Sequence, residues 1–206
     1  MRQVAKQAIF ALHHGRSNAR ELVASAGALG RALLDGSDGA GVHVAKFSVL
    51  RHAGALKGAL EEVAEAELLA AWLEQPADGV ILAREDLVGG MLLPDEYLGA
   101  LGDLIGEIGR YAVTRAAARD AEGVRGALAS AVAVQTAYVS LGGALPRKID
   151  KKIGALRTAV RKLEQLLWEL SLVERSGRRS AKTSVNVGDD GGGSGAAEAR
   201  DDDREA

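Results

Sequence analysis

Four carboxylates at helical spacing are the residues of this sequence best suited to do chemistry together. Glu62 and Glu65 lie three positions apart in one segment, and Asp103 and Glu107 lie four positions apart in another. Residues at these spacings share one face of an α-helix, so each pair points two carboxylates the same way. Mg²⁺ and Mn²⁺ prefer such oxygen ligands and can assist phosphodiester hydrolysis. Surface acids and ion pairs remain open as alternatives on spacing alone.

Two helices must position these acids. Apolar periodicity predicts one helix over about 43–74 and another over about 94–118. Beyond Glu62 and Glu65, the same face of the first helix turns apolar within two turns, beginning at Leu69. Both acids therefore lie at the margin of a packed seam. Because buried acids are costly without partners, a cation, an arginine or a metal is needed beside them.

The second acid pair is followed by Arg110 on the same helix and flanked by a line of glycines. The line consists of Gly99, Gly102, Gly106 and Gly109. Each glycine inside a helix costs about 1 kcal/mol relative to Ala, so four of them need a compensating reason. Close backbone approach by another helix is the natural one. We expect that helix to bring its side chains against Asp103 and Glu107.

The rest of the chain also favours helix. Ala, Leu, Glu and Arg are abundant, there are three prolines, and no segment combines strand-like alternation with a hairpin turn. Further helices are predicted at about 2–14, 18–34, 121–141 and 146–173, with one helical turn near 84–88. The fold class is therefore all-α, an antiparallel bundle of about six helices over residues 1–175. Residues 176–206 are rich in Gly, Ser and charge, which predicts a disordered tail.

Composition excludes several other classes of protein. The chain has no cysteine, so disulfide scaffolds and thiolate metal sites are ruled out. It shows neither a signal peptide nor an apolar run long enough to span a membrane, and we expect a cytoplasmic protein. No histidine follows a glutamate at the spacing of a di-iron bundle. His13 and His14 end the first helix, where capping or surface roles are expected rather than metal ligation.

Charge is distributed unevenly along the chain. Residues 1–60 carry eight bases and three acids, 61–107 one base and twelve acids, and 108–174 eleven bases and six acids. Lys148, Lys151 and Lys152 crowd the start of the last helix, where cations oppose the helix dipole and favour an external anion. With Arg110 they are candidate phosphate contacts. Solubilising lysines are the alternative, and with 3% aromatic residues, sequence-specific reading of single strands is not supported.

Four segments resemble the translin superfamily. DEYLGALGDLIGEIGRYAV, residues 95–113, is similar to the family's most recognisable helix in its translin-associated factor X form, with Ile105 where that form has Thr. LEEVAEA, residues 60–66, resembles another helix of that form. KQAIFALHHGR and LRTAVRKLEQLLWELSLVERSG resemble the family's first and last helices. The likeness covers nearly all of residues 1–177, and the chain begins inside the family's first helix.

The resemblance implies a function as well as a fold. It implies an all-α subunit of a ring- or barrel-like oligomer, commonly octameric, that encloses nucleic acid. The factor X branch is a Mg²⁺-dependent endoribonuclease, whereas translin lacks the acids and only binds RNA and single-stranded DNA. All four acids are present here: Glu65 and Glu107 match metal ligands, and Glu62 and Asp103 would complete the site and orient or deprotonate the attacking water.

Three hypotheses follow from the sequence. The leading one is a prokaryotic, homo-oligomeric endoribonuclease that uses Mg²⁺ or Mn²⁺ and acts on single-stranded or short RNA, and on single-stranded DNA. The second is an RNA- and DNA-binding oligomer without turnover. The third is a purely structural helical scaffold, in which the four acids would be incidental.

Overall fold

Helices make up the ordered framework of the protein. In the computed structural model, the residues described are 1–36, 51, 54–76, 79, 81–145 and 147–186, without the side chains of 144, 148, 150 and 177–186. Over these residues there is no β-strand, and the six α-helices are α1 (Arg2–His13), α2 (Ala19–Asp35), α3 (Gly54–Trp72), α4 (Pro94–Ala117), α5 (Ala121–Leu141) and α6 (Arg147–Asn186). The all-α bundle predicted from the sequence is confirmed.

The first two helices form a hairpin that packs on α3. Ala5, Ala8 and Ile9 form the buried face of α1, at the i, i+3 and i+4 spacing of an amphipathic helix. Helix α2 ends at Gly36, whose φ of 85° suits a residue without a side chain, and its N–H donates to the Ala32 carbonyl. The hairpin thereby lays one edge of α1 alongside the acid-bearing helix.

Helices α3 and α4 pack together at the centre of the bundle. The apolar stripes predicted for them are buried, with Leu69 and Trp72 fully enclosed on α3. Trp72 donates its indole N–H to the Ser130 hydroxyl of α5, at 2.9 Å. The start of α4 is fixed by Glu96, whose carboxylate accepts the Leu93 N–H at 2.7 Å, in the manner of a capping residue.

The segment before α4 is compact. It contains two short 3₁₀ turns, Arg84–Asp86 and Val88–Gly90, the first of which starts where one helical turn was predicted. Leu87, Val88 and Leu92 are buried against the core. This connection therefore anchors the N-terminal end of α4.

The last two helices complete the bundle. Asp120 caps α5 by accepting the Gly123 N–H at 2.8 Å, and a 3₁₀ turn at Gly142–Ala144 leads towards α6. On α6 the buried apolar residues are Ile149, Leu156, Val160, Leu163 and Leu170. This face holds the basic start of the helix against the rest of the bundle.

The end of the last helix differs from the prediction. The helix continues to Asn186 rather than ending near Val173. Local bonds such as the one from the Ser176 hydroxyl to the Leu172 carbonyl accompany this extension. The rest of the predicted tail, and the predicted start of the third helix at 43–50, lie outside the described residues. No described helix is long and apolar enough to cross a membrane.

Candidate active site

The four predicted acids line a single cavity. It has a volume of about 670 Å³, and its walls come from α1, α3, α4 and α6. Glu62 and Glu65 enter from α3, and Asp103 and Glu107 enter from α4 together with Arg110. The packing of α3 on α4 therefore brings together two acid pairs that are about forty residues apart in the sequence.

Glu65 is the acid with the most unusual environment. It is 7% exposed, and its pKa is raised to about 8, first by burial and then by the negative charges of Asp103, Glu107 and Glu62. Over the part of the chain that the structure describes, its carboxylate makes no hydrogen bond or ion pair. Metal-free Glu65 is therefore largely protonated at neutral pH, and a cation placed beside it would favour its ionised form.

The acids on either side of Glu65 are neutralised by cations from distant helices. Glu62 pairs with Arg2 at 3.1 Å and with Lys6 at 3.4 Å, both from α1. Asp103 pairs with Lys152 of α6 at 2.7 Å. These pairs join α1 and α6 electrostatically to the acid-bearing helices.

Glu107 has two partners of its own. Its carboxylate lies 2.5 Å from the His13 Nε2 atom of α1 and 2.8 Å from the Arg110 guanidinium one helical turn ahead. The side chains of His13 and Glu107 are 10% and 13% exposed, whereas Arg110 is 63% exposed. The contact with His13 is therefore the enclosed one, and it fixes Glu107 from the interior side.

Over the described residues, the measured cation contacts of each paired acid fall on one of its two oxygens. Arg2 and Lys6 both approach Oε1 of Glu62, and His13 and Arg110 both approach Oε2 of Glu107. The closest contact with Asp103 is at Oδ1. The ion-pair distances to each acid are thus measured at one of its oxygens, Oε1 of Glu62, Oε2 of Glu107 and Oδ1 of Asp103.

The residues predicted to contact phosphate lie in different surroundings. Arg110 lines the cavity, whereas Lys152 is engaged inside the protein, because its ammonium also donates to the Gly99 carbonyl at 2.7 Å. Lys151 is exposed and does not line the cavity. The side chain of Lys148 lies outside the described residues, so its role stays a prediction.

The four glycines on α4 differ in how closely other side chains approach them. A Cβ added at Gly99 would lie 2.5 Å from the carboxylate carbon of Glu61, and one at Gly102 would lie 2.6 Å from Cδ of Lys152. At Gly106 and Gly109 there is open space. The expected close approach of another helix is thus met at the first two glycines, where side chains are the nearest atoms, and not at the last two, which border an open groove.

Sequence reasoning missed three residues of this site: His13, Arg2 and Lys6. A capping or surface role was expected for His13, and that expectation is wrong. His13 continues the i, i+4 series of buried residues Ala5 and Ile9, so its ring turns inward. This continuation was the available signal. His14 turns the other way and its Nδ1 atom bonds the Phe10 carbonyl at 2.8 Å, as a terminal residue can.

The donor chemistry of the cavity suits a divalent cation. Four carboxylates supply hard oxygen ligands, and a cation would relieve the repulsion that raises the pKa of Glu65. Among residues whose positions are described, no three Asp, Glu or His side chains are close enough in this conformation to enclose a metal ion. Side-chain rotation at the cavity wall would therefore have to accompany metal binding.

Comparison with known proteins supports this view of the fold. Residues 2–174 match the model of the translin family. The fold is similar to the crystal structure of apo-NeC3PO, at 15% identity, 82% coverage of each chain and a TM-score of 0.67. It is also similar to the crystal structure of AfC3PO, at 18% identity, 84% coverage of each chain and a TM-score of 0.66. A third similar structure is AfC3PO in a complex with duplex RNA, at 17% identity, 84% coverage of each chain and a TM-score of 0.67. No curated protein matches the chain in sequence. Since the family match spans most of its length, this chain belongs to the translin family.

Proposed function

We propose that the protein is a metal-dependent endoribonuclease of the translin-associated factor X branch, which hydrolyses single-stranded or short RNA and also accepts single-stranded DNA. The observation that carries the proposal is the environment of Glu65, a buried acid that has no hydrogen-bond or ion-pair partner among the described residues and shares one cavity with three other carboxylates. A structural helical scaffold has no use for that arrangement, because gathered acids destabilise the folded protein. Buried, shifted acids in a cavity are typical of functional sites.

The residues divide into two roles in this proposal. Glu65 and Glu107 would hold Mg²⁺ or Mn²⁺, which supplies Lewis acidity and charge neutralisation for phosphodiester hydrolysis. Glu62 and Asp103 would orient the attacking water and accept its proton. Lys6 lies 3.4 Å from Oε1 of Glu62 and Lys152 lies 2.7 Å from Oδ1 of Asp103, so the other oxygen of each carboxylate would be the one to bind the water.

Exposed cations at the cavity can receive the nucleic acid. Arg2, Lys6 and Arg110 have side chains that are 55%, 53% and 63% exposed, and each of them lies against a site acid. A phosphate could bind such a cation beside its carboxylate partner, since more than half of each side chain is in solvent and each carries several N–H donors. The similar fold of AfC3PO in a duplex RNA complex supports a nucleic-acid ligand, and a homo-oligomer would enclose it.

The test is cleavage of end-labelled single-stranded RNA by the purified protein, with Mg²⁺ or with EDTA. Asp103→Asn and Glu107→Gln remove charge from the cavity, and Glu164→Gln, at an exposed position of α6, is the matched control. We expect cleavage with Mg²⁺ by the wild type and the control alone. Cleavage that persists in EDTA, or in both cavity variants, would refute the proposed site.

A non-catalytic RNA- and single-stranded-DNA-binding oligomer is the second candidate. It is favoured by the ion pairs that already occupy three of the four acids, and by the absence, among the described residues, of any three ligands close enough to enclose a metal. The same assay separates the two functions. Retention of labelled RNA without cleavage under either Mg²⁺ or Mn²⁺ would establish the second candidate.

A further inference from the structure

A second cavity lies beside the candidate active site. It has a volume of about 340 Å³ and is formed by the outer face of α1 and the start of α2. Phe10, one of two phenylalanines in the chain, lines it and is 49% exposed. Exposing a large aromatic side chain forfeits the free energy of burying it, so a half-exposed Phe at the edge of a cavity suggests a ligand.

Phe10 belongs to a stack of planar groups. The ring of His14 lies 4.0 Å from the Phe10 ring, centroid to centroid, with 31° between the planes. The guanidinium carbon of Arg16 lies 4.9 Å from the centroid of Phe10. His14 and Arg16 are both exposed. Aromatic rings and guanidinium planes at a surface are the groups on which nucleobases stack.

The remaining polar residues of this cavity match the chemistry of a nucleotide. Gln3, Gln7 and Asn18 line it with side-chain amides, each of which offers both hydrogen-bond donors and an acceptor, as base edges require. Lys6 and Arg16 also line it and supply positive charge for a phosphate. Among the described residues that line this cavity none is acidic, in contrast to the cavity of the candidate active site.

Lys6 connects the two cavities. It lines both of them, and its ammonium lies 3.4 Å from Glu62 of the candidate active site. A strand whose phosphate lies in the acidic cavity can therefore place a neighbouring base at Phe10. We propose that the cavity at Phe10 binds an unpaired nucleobase of the RNA strand held in the candidate active site. The proposal rests on the proposed function and adds a subsite to it.

Arg16 gives way when the base binds. A cation–π contact at an exposed site is weaker than stacking of a base on an aromatic ring, so the base displaces the guanidinium from Phe10. Arg16 is then free to contact the phosphate of the same nucleotide. Since every base has a flat face, the subsite selects unpaired over paired nucleotides rather than one base over another.

The test is a binding cycle with oligouridylate in EDTA, which prevents cleavage. Fluorescence anisotropy compares the intact strand with strands that lack one base at each position in turn, on the wild type and on Phe10→Leu. For the wild type we expect about a tenfold loss of affinity when the base at one position is missing. Phe10→Leu should bind the intact strand about tenfold more weakly and be insensitive to that same missing base.

Two controls make the cycle specific. Phe10→Trp should restore sensitivity to the missing base, because tryptophan also stacks. Leu29→Ala, at an exposed apolar position of α2 outside both cavities, should behave as the wild type. Circular dichroism checks that each variant is folded.

Other outcomes overturn the proposal. A wild type that is indifferent to every missing base has no base subsite. If Phe10→Leu weakens intact and base-deficient strands equally and also changes the oligomer size in light scattering, Phe10 is a contact between copies of the chain. If no oligonucleotide binds at low salt, the proposed function fails together with the subsite, whereas failure of the cycle alone leaves the cleavage proposal standing.

Discussion

Glu65 and Glu67 lie two positions apart on α3, on opposite sides of the helix, and their carboxylates have different neighbours. For both, burial raises the carboxyl pKa. Glu67 is partly compensated, because it accepts the Val88 N–H at 2.9 Å and lies 3.7 Å from the Arg31 guanidinium, and both contacts oppose the effect of burial on its pKa. Glu65 has no such contact among the described residues: three carboxylates add their repulsion to its burial, and the charge of Lys152 opposes them only in part.

Under the proposed function, the difference separates a structural acid, Glu67, from a metal-binding one, Glu65. Glu67 fastens the 3₁₀ turn at Val88 to α3, and the glycine at position 27 leaves room for its carboxylate. Compensation of this kind stabilises the fold and leaves little capacity for a ligand. The uncompensated environment of Glu65 costs stability and creates affinity for a cation, as expected where function rather than folding determines the residue.

The largest difference expected between substitutions at Glu65 and Glu67 is in the rate of RNA cleavage. Glu65→Gln should reduce Mg²⁺-dependent RNA cleavage about a thousandfold, since a metal contributes several kcal/mol to such a reaction and each 1.4 kcal/mol is tenfold in rate. Glu67→Gln is the matched control on the same helix and should leave the rate within about twofold. Initial rates on labelled RNA measure both variants. Equal rates for Glu65→Gln and the wild type would make Glu65 as structural as Glu67.

The next effect is on stability in EDTA as a function of pH. With a pKa of about 8 in the folded protein, Glu65 keeps a proton that the unfolded chain loses near pH 4.5. The folded state therefore binds more protons in this window, and the free energy of unfolding falls as the pH rises through it, by on the order of a few kcal/mol. In Glu65→Gln this fall in the free energy of unfolding with rising pH should be absent, because the amide does not titrate. Urea unfolding at pH 5, 7 and 9 tests it, and parallel pH profiles of the two proteins would refute it.

Removing the Glu67 side chain should lower the stability of the folded protein. Glu67→Ala leaves the Val88 N–H without its acceptor and Arg31 without its partner, which should lower the free energy of unfolding by about 1–3 kcal/mol. Glu67→Gln keeps an acceptor oxygen and should lose less. Both are measured by urea unfolding at pH 7. No loss in Glu67→Ala would mean that water replaces the carboxylate there, and the contrast with Glu65 would weaken.

His13 sharpens the comparison at another acid of the site. Its ring holds Oε2 of Glu107 from the interior, so His13→Ala should free the carboxylate to rotate and lower Mn²⁺ affinity about tenfold. His13→Gln keeps a donor and should recover part of the loss. His14→Ala removes a ring that bonds the Phe10 carbonyl, and it should leave Mn²⁺ affinity unchanged. Paramagnetic resonance of bound Mn²⁺ measures all three. Equal affinities for the His13 and His14 variants would count against a positioning role.

Local periodicity was sufficient to predict the fold. Helix α5 spans the predicted residues, α4 ends within one residue of its predicted end, and the stripes ending at Trp72 and Leu170 are buried as expected. These features depend on residues three or four positions apart, which the sequence displays directly. The last helix continues to Asn186, beyond its predicted end near Val173.

The acids of the candidate site could be predicted from the sequence, whereas the cations that pair with them could not. Carboxylates at i, i+3 and i, i+4 can be read along one helix, and the cavity does gather them. The partners Arg2, Lys6 and His13 come from a helix about fifty residues or more away, so only the packing of α1 on α3 shows where they point. Lys152 was expected at a phosphate and instead pairs with Asp103, because α6 packs with that side chain inward.

The smallest effect concerns the glycines that border the acids on α4. Gly106 faces open space, so Gly106→Ala should raise the free energy of unfolding by about 1 kcal/mol, the usual gain from removing a helical glycine. Gly99→Ala makes the same chemical change, but its methyl group would meet the carboxylate of Glu61, which lies 3.8 Å from the Lys57 ammonium and would have to move. It should gain less or lose stability. Urea unfolding of the two variants compares them directly. Equal gains would mean that Glu61 moves freely, and that Gly99 is no more constrained than a glycine bordering the open cavity.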